Sequence, residues 1–435
     1  MDLENQELES GRSGSFGRLS CASCSRRHSL SLSFGLSSQV NDADEDVAVA
    51  EAGDIGDRAL NSNTWNSSGR SHSSLDNTAG NRTVVPVQEE SLSPHSVDAI
   101  VQSGDEIKDE KEVPWALERI TCLLSLAVFG ILGVLTRYCL QKLFGPDIIG
   151  ATSDESYMYL DLASNVVGSF LMGWLGVVFK GDITKVSDQL AIGLSTGFLG
   201  SLTTFSGWNQ KMLDLSVKGQ WVFAGLGILL GMFLVAYSII WGIRTAKGFK
   251  WLIRRSNIRK SFSSLFYDYS KCISTFMVIL LLMLGLLWGL FGSLEKKEFK
   301  TGSSEAQLFL ACMVGPFGVW IRWFLTRFNG RGLGKNDKLK WMQFGTLAAN
   351  VLAACVMAAL ATLKKAVQTK NWDTVASGIQ FGLLGCLSTV STFIAEFHAM
   401  RESMQPWRAY AYATTTSMVS FVLGTLIYSV PIGII

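Results

Sequence analysis

Charged side chains are scarce in this sequence of 435 residues, at 17% of the total, whereas 48% of the residues are hydrophobic and the mean hydropathy is +0.27. A soluble protein of this length would carry more charge, so the composition indicates a membrane protein. The sequence also lacks HExxH, GxSxG and a phosphate-binding glycine loop, and it has no pair of membrane carboxylates that could relay protons. We therefore expect no enzyme activity.

Cysteine is present but offers no scaffold. Six of the eight cysteines lie in or beside apolar segments, where cysteine behaves as a small hydrophobe, and we expect no structural disulfide. Cys21 and Cys24, close to His28, have a zinc-like spacing. They lack a second Cys/His pair at the distance of a zinc finger, so we do not expect a metal site there.

Residues 1–114 contain no sustained apolar run and are rich in Ser, Asn, Asp and Glu. This composition predicts a disordered tail. Its acidic opening has neither the apolar core of a signal peptide nor the arginines of a transit peptide. Targeting is therefore expected from the first membrane segment.

After the tail, nine apolar runs are long enough to cross a bilayer, which takes about 20 residues. Their predicted bounds are 117–140, 157–179, 189–208, 221–243, 273–291, 306–325, 342–363, 375–397 and 410–430. They group as four, one and four. The sequence thus predicts an all-α membrane protein with two four-helix repeats, 115–245 and 301–435, separated by a basic loop and a linker helix in 246–300.

The two repeats match without a gap at a spacing of 185 residues, which is 322 minus 137. This spacing pairs Arg137 with Arg322 and Asn165 with Asn350, and matched Arg and Asn are unusual in membrane helices. Four helices return the chain to its starting side, so the single linker helix predicts that the second repeat is inverted.

Basic residues are more numerous in the loops on the tail side, above all between Arg244 and Lys271. This asymmetry predicts a cytosolic N-terminus and an extracellular C-terminus. We expect a multi-pass protein of the plasma membrane. The same loop is predicted to contact anionic lipid.

Helix-weakening residues interrupt the third helix of each repeat, in GFLGSLTTFS at 197–206 and GLLGCLSTVS at 382–391. Backbone groups in lipid must be satisfied, so such clusters predict a helix that breaks against protein, water or an ion. Two breaks indicate a permeation site.

Polar residues at membrane depth are the next candidates for function. Asn165 and Asn350 are predicted to line a pore, with interhelical hydrogen bonding as the alternative. Arg137 and Arg322 either snorkel to the interface as structural residues or attract anions. Glu396 is the one acid near a repeat helix end, and its counterpart is Lys211, which disfavours a symmetric acid-driven exchanger.

Aromatic residues follow the breaks. Phe205, Trp208 and Phe393 adjoin a group of hydroxyl residues, and an aromatic ring has an electropositive edge that can receive a small anion. The hydroxyl residues are Thr203, Thr204, Ser206, Ser388, Thr389, Ser391 and Thr392.

Three motifs in order, GxxGxxxRY at 130–138, NxxGSF at 165–170 and GFxGSLTTFS at 197–206, resemble the Fluc/CrcB fluoride channel family, in particular its eukaryotic two-domain members. The resemblance implies passive fluoride export along a path lined by the second-helix Asn, a Phe pair and a polar track on the fourth helix. It also implies a structural sodium ion held by the backbone carbonyls of Gly200, Thr203, Gly385 and Ser388. Fluoride and lipid are the implied partners, nucleic acid is not, and one chain would act as a pseudo-dimer.

The resemblance implies that each pathway takes its first Phe from one repeat and its second from the other. Carried over with the repeat spacing, this crosses Phe205 with Phe393 as one intact aromatic pair and Val390 with Trp208 as one altered pair, so only one of the two possible pathways is predicted to work. The fourth helix of the second repeat is polar where its counterpart is apolar, so Tyr410 and Thr414 are predicted to line the active path. The predicted fluoride path then also includes Thr204, Ser206, Thr389 and Ser391.

Two other functions stay open at this point. An inverted-repeat secondary transporter would need a coupling carboxylate, for which Glu396 is the candidate. A non-conducting scaffold would recruit partners through its tail, so deletion of residues 1–114 would abolish its function.

Overall fold

The computed structural model describes residues 115–255, 269–332 and 339–434. These residues are helical with short connections and belong to one compact unit. The tail, its Cys21–Cys24 pair and most of the basic loop lie outside the described residues.

The first repeat contains seven helical pieces. They are α1 (Trp115–Phe144), α2 (Leu162–Leu171, continued by a π-helical stretch Met172–Val178), α3 (Lys180–Thr184), α4 (Asp188–Ile192, continued by a π-helical stretch Gly193–Leu199), α5 (Gly200–Leu202), α6 (Phe205–Val217) and α7 (Trp221–Arg255).

The linker and second repeat follow the same plan. They comprise α8 (Tyr269–Glu298), α9 (Ser304–Thr326), α10 (Phe344–Val367), α11 (Lys370–Ile379, continued by a π-helical stretch Gln380–Leu384), α12 (Gly385–Leu387), α13 (Ser391–Glu402), α14 (Trp407–Gly424, continued by a π-helical stretch Thr425–Ser429) and α15 (Val430–Ile434).

Seven helical spans in the described residues are long and apolar enough to cross a membrane. Two of the nine predicted spans do not reach this length. Leu162–Val178 is a shorter apolar helix, and the segment predicted at 189–208 is divided among α4, α5 and α6. The break at Thr203 is the physical reason for the division of 189–208, whereas Leu162–Val178 is short because its helix begins only at Leu162, five residues after the predicted start.

The linker helix α8 lies at the edge of the bundle. Leu280, Leu284 and Phe291 form its buried face and pack against α1 and α9, whereas most of its other large side chains are exposed. In the described part of the chain, α8 contributes no polar side chain to the core. This arrangement agrees with a linker that joins the repeats without lining a path.

Close helix contacts depend on small residues. A β-carbon at Gly242 of α7 would collide with the carbonyl of Phe170, and one at Gly173 would collide with the carbonyl of Ile239. Glycine at both positions therefore lets the backbones of α2 and α7 touch, as is common between membrane helices. This packing fixes α2, which carries Asn165, against the rest of the first repeat.

Candidate functional site

Both predicted helix breaks are present. α5 ends at Leu202 and α6 begins at Phe205, with Thr203 in an extended conformation (φ −103°, ψ 148°). α12 ends at Leu387 and α13 begins at Ser391, with Ser388 likewise extended (φ −82°, ψ 158°). A π-helical stretch precedes each break, a feature often found at functional sites.

The two breaks cap each other. Ser388 Oγ accepts hydrogen bonds from the backbone N–H groups of Phe205 (3.2 Å) and Ser206 (3.0 Å), at the start of α6. Thr203 Oγ1 accepts from the N–H groups of Val390 (3.2 Å) and Ser391 (3.0 Å), at the start of α13. Each half of the molecule thus supplies the N-terminal cap that the other half needs.

The four other hydroxyl residues predicted for the pathway lie at this crossing and are buried. Ser206 Oγ lies 2.9 Å from Ser388 Oγ, and Ser391 Oγ donates to the carbonyl of Leu199 (3.0 Å). Thr204 Oγ1 caps α6 by accepting a hydrogen bond from the N–H of Gly207. Thr389 Oγ1 lies 3.4 Å from Ser391 Oγ. These hydroxyls bond one another and the backbone, so they bind the two halves together.

Arg322 is fully buried, so the predicted alternative of snorkelling is wrong for it. Its guanidinium donates to the carbonyls of Thr196 (2.5 Å), Gly200 (2.7 Å) and Ser388 (3.2 Å). These carbonyls lie at helix ends, where four C=O groups lack an intrahelical partner and a positive charge is favourable. A β-carbon at Gly200 would collide with the guanidinium, so this glycine makes room for the arginine.

Arg137 occupies the matching position and is also fully buried, so snorkelling is wrong here too. It donates to the carbonyl of Phe381, stacks over the Phe381 ring at 4.3 Å and needs glycine at Gly385. Its Nε and Nη1 atoms have no hydrogen-bond partner among the described residues, whereas only Nε of Arg322 lacks one. The two arginines are therefore equivalent in sequence but not in bonding.

The central sodium implied by the resemblance fits these residues only in part. Two of its four proposed ligands, the carbonyls of Gly200 and Ser388, already accept hydrogen bonds from Arg322. A cation sharing them would lie beside a guanidinium charge, which is unfavourable. The four carbonyls of Gly200, Thr203, Gly385 and Ser388 therefore do not form a free coordination shell for a cation.

Asn165 and Asn350 hold the breaks in place. Asn165 Oδ1 accepts from the N–H of Thr204 (2.8 Å) and Nδ2 donates to its carbonyl (3.1 Å). Asn350 makes the same two bonds to Thr389, at 2.8 and 3.1 Å. Asn165 Nδ2 also donates to the hydroxyl of Tyr159 (3.2 Å), and no such second partner of Asn350 Nδ2 is found among the described residues.

The predicted aromatic pair is assembled. The Phe205 and Phe393 rings lie 5.9 Å apart between centroids, with an interplanar angle of 61°, and both are buried. The Phe393 ring in turn contacts the ring of Tyr412 of α14, with 5.2 Å between the ring centroids. An aromatic path therefore leads from the break of one repeat to the fourth helix of the other.

The polar track on α14 lies on a different face from the one predicted. Tyr410 is 58% exposed and Thr414 is also exposed, so the assignment of these two residues to the path is wrong. Tyr412, Thr416 and Ser420 are fully buried, and their spacing of four residues places them on one inward face. A shift of two positions turns a helix by about 200°, which moves the track from lipid to core.

Glu396 lies at one end of this track in a buried network. Its carboxylate accepts hydrogen bonds from Tyr412 OH (2.6 Å), Thr346 Oγ1 (2.6 Å) and Asn329 Nδ2 (3.3 Å). These donors satisfy a charge that would otherwise be costly at this depth. Glu396 thus orders the ends of α10, α13 and α14.

Trp208 fills the corresponding space in the first repeat. At the repeat spacing, Gly227 and Gly231 of α7 stand where Tyr412 and Thr416 stand in α14. The Trp208 indole donates to the carbonyl of Gly227 (3.3 Å), and a β-carbon at Gly231 would collide with it. Its ring stacks on Tyr159 at 6.0 Å, so the first repeat has a packed core where the second has a polar track.

A cavity of about 440 Å³ opens beside the break of the first repeat. Residues from both repeats line it, including Arg137, Gln141, Asp161, Gln307 and Gln380. Thr204 and Gly207, which flank the Phe205–Ser206 pair, also line it. Phe205 and Phe393 themselves do not line this cavity.

Comparison with known families bears on this architecture. The family described as "CrcB-like protein, Camphor Resistance (CrcB)" matches residues 124–243 and 309–428, together more than half of the chain. The chain belongs to the CrcB family. The two matched stretches are themselves displaced by 185 residues (309 minus 124), the spacing of the internal repeat.

Three CrcB-family relatives illustrate the similarity, and each carries the name "Fluoride-specific ion channel FluC". The chain is 36% identical over 126 residues to one from Geobacter metallireducens, covering 29% of this chain and 96% of the relative. For Geobacter sulfurreducens the identity is 32% over 130 residues, covering 29% and 98%. For Shewanella sp. (strain ANA-3) it is 33% over 120 residues, covering 28% and 91%. No solved structure matches the chain.

Several residues of this CrcB-family site were missed in the sequence. Tyr412 and Thr416 could have been found by aligning α14 with α7, because each corresponds to a glycine of α7 at the repeat spacing. Asn329 lies in a loop where no helical register applies, and Tyr159 lies before α2, so neither carries a periodic signal. Their roles depend on contacts that only the folded chain shows.

The reciprocal caps predict a stability effect. We expect Thr203→Val and Ser388→Ala each to destabilise the purified protein by about 1–3 kcal/mol, because each leaves two buried N–H groups without their acceptor. Thermal unfolding in detergent measures the change. Ser293→Ala is the control, since that hydroxyl is exposed and bonds only its own helix. Equal unfolding temperatures for all four proteins would contradict the capping role.

Proposed function

We propose that this protein is a passive channel that exports fluoride from the cytosol and so confers fluoride resistance. The observation that carries the proposal is the pair of CrcB-family stretches, which place Phe205 beside Phe393 where the two repeats meet. The relatives named as fluoride-specific channels supply the ion. The membrane potential would drive the anion outward without ATP.

The proposed topology has nine crossings, with the second repeat inverted relative to the first. The N-terminus would be cytosolic, the C-terminus extracellular and the membrane the plasma membrane, with one chain acting as a pseudo-dimer. The cavity lining supports this arrangement, because its residues come from the end of α1, the start of α2, the start of α9 and the chain around α11. The proposed topology assigns all of these to the outer side.

In the proposed path, hydrogen-bond donors and ring edges replace the hydration shell of fluoride. Phe205 and Phe393 offer electropositive ring edges, and Tyr412, Thr416 and Ser420 continue the route along α14. The hydroxyl of Ser420 is buried without a partner among the described residues, so it is free to donate to an ion. Chloride is larger and would fit such a narrow, buried route poorly.

A single active route is part of the proposal. Trp208 supports it, because its indole packs where the second route would need a polar track. Tyr159 stacks on that indole and also bonds Asn165. The second route would therefore be closed by packing alone.

The secondary transporter is the less favoured alternative. Its candidate coupling acid, Glu396, is held by three donors within the second repeat, and nothing equivalent exists at Lys211. The central sodium ion stays a prediction of the resemblance, and the proposed conduction does not depend on it.

Fluoride efflux from liposomes containing only this protein tests the function. We expect fluoride to leave rapidly once a potassium ionophore dissipates the charge imbalance, with no proton or substrate gradient, and chloride to leave far more slowly. A fluoride electrode and a chloride electrode measure the two rates. Comparable rates for both anions would contradict the proposal, as would fluoride flux that requires a proton or substrate gradient.

The single route predicts unequal effects at the two aromatic pairs. Phe205→Ile and Phe393→Ile should reduce efflux to near the level of empty liposomes, because both remove ring edges from the active route. Val390→Ala and Trp208→Leu should leave most of the efflux intact. If the second pair of substitutions halves transport while the first does no more, both routes conduct.

The two asparagines are predicted to differ in the same assay. Asn350→Asp should reduce efflux more than Asn165→Asp, because Nδ2 of Asn165 is committed to Tyr159 whereas Asn350 keeps a donor for an ion. Both substitutions remove the same donated bond to one break, and Asn165→Asp also removes the bond to Tyr159, so a larger loss at Asn350 is not explained by structural cost. Equal losses at equal protein content would contradict this difference.

A further inference from the structure

Asn209 lies one turn after Phe205 on α6, so the two side chains share a face of that helix. It is buried, with 7% of its surface exposed. Its Nδ2 atom lies 3.4 Å from the carbonyl oxygen of Ser420 on α14, and a β-carbon at Gly424 would approach the same nitrogen to 3.2 Å. Because Ser420 and Gly424 are one turn apart, the Asn209 amide faces the inward side of α14, along which the proposed route continues.

Asn209 and Phe205 also border a common space. Both line a small cavity of about 10 Å³, close to the least volume that holds one water molecule. Fluoride is about as large as a water molecule, so the space suits one such ion. The other lining residues are Trp208, Met212, Ile228 and Ser417.

Two of the three hydroxyl groups on the inward face of α14 donate to protein acceptors. Tyr412 OH donates to Glu396, and Thr416 Oγ1 donates to the carbonyl of Tyr412 (2.9 Å). Ser420 Oγ has no partner among the described residues, and the Asn209 amide makes one bond of 3.4 Å, beyond the usual range of about 2.7–3.2 Å. An amide nitrogen has two N–H donors. Asn209 and Ser420 thus keep donors that an anion could use.

The matching seam between α13 and α7 is apolar at these two positions. At the repeat spacing Ile394 corresponds to Asn209 and Val235 corresponds to Ser420. Both are fully buried in one hydrophobic cluster. Packing alone therefore gives no reason for an amide and an unbonded hydroxyl at this depth, where each is unfavourable unless it finds a partner.

We propose that Asn209 and Ser420 form a binding site for dehydrated fluoride, one helical turn beyond Phe205. The inference rests on the proposed function. The Asn209 amide and the Ser420 hydroxyl donate hydrogen bonds to the ion there in place of water. The seam continues to Ser216 and Ser429, whose hydroxyl oxygens lie 3.2 Å apart, and the proposed topology assigns that end to the outer side. The site therefore receives fluoride from the aromatic pair on its way out.

Fluoride efflux from liposomes that contain the full chain tests the site. Asn209→Leu keeps the approximate shape of the side chain and removes its donors. Efflux should fall by at least about tenfold, the scale of one hydrogen bond to a charged group. Asn209→Gln keeps the amide and should retain clearly more efflux than Asn209→Leu, whereas a packing role would favour leucine.

Ser420→Ala provides a second test, because it removes a hydroxyl that bonds nothing among the described residues. Its unfolding temperature in detergent should equal that of the wild type, while efflux falls several-fold. Val235→Ala makes the matching change on the apolar seam. At equal content of folded protein it should leave efflux unchanged.

The outcomes separate this inference from the proposed function. No fluoride efflux from the wild type would overturn the proposed function. Wild-type efflux that persists in Asn209→Leu, or that Asn209→Leu and Asn209→Gln reduce equally, would overturn the site alone. If Asn209→Leu does not fold, Ser420→Ala decides, because unchanged efflux in that variant contradicts the site.

Discussion

The structure depends on how two broken helices satisfy their backbone groups inside a membrane. A break leaves N–H and C=O groups without helical partners, and lipid offers none. Here Thr203 caps the helix of the second repeat and Ser388 caps the helix of the first. Neither break is complete without the other repeat, so the folded core and the candidate permeation site have the same origin.

Fusion of two repeats in one chain allows each to change separately. In a symmetric dimer of identical subunits, a residue such as Trp208 would occupy the same position in both halves. In this chain Trp208 packs on Gly231 in one repeat, while Phe393 contacts Tyr412 in the other. An apolar α7 and a polar face on α14 are thus compatible within one chain.

Much of this architecture could be predicted from the sequence, because the repeat spacing is a strong signal. It located both breaks and the paired arginines and asparagines, and together with the family resemblance it indicated the contact of Phe205 with Phe393. The spacing did not predict that Arg137 and Arg322 are buried. The position of an arginine near a helix end is the same in the sequence whether its side chain faces water or a neighbouring carbonyl. The track on α14 was missed because Tyr410 and Tyr412 are both polar-aromatic, and only packing decides which one faces inward.

Arg322 illustrates why matching residues need not have matching roles. Its guanidinium binds carbonyls of both repeats, at Gly200 and at Ser388, and so carries a positive charge to the place where the two helix ends meet. Helix C-termini carry partial negative charge, and their convergence in a medium of low dielectric demands compensation. Arg137 makes one hydrogen bond, and its Nε and Nη1 atoms have no hydrogen-bond partner among the described residues. One arginine is therefore used to hold the crossing together, and the other leaves positive charge in the lining of the cavity.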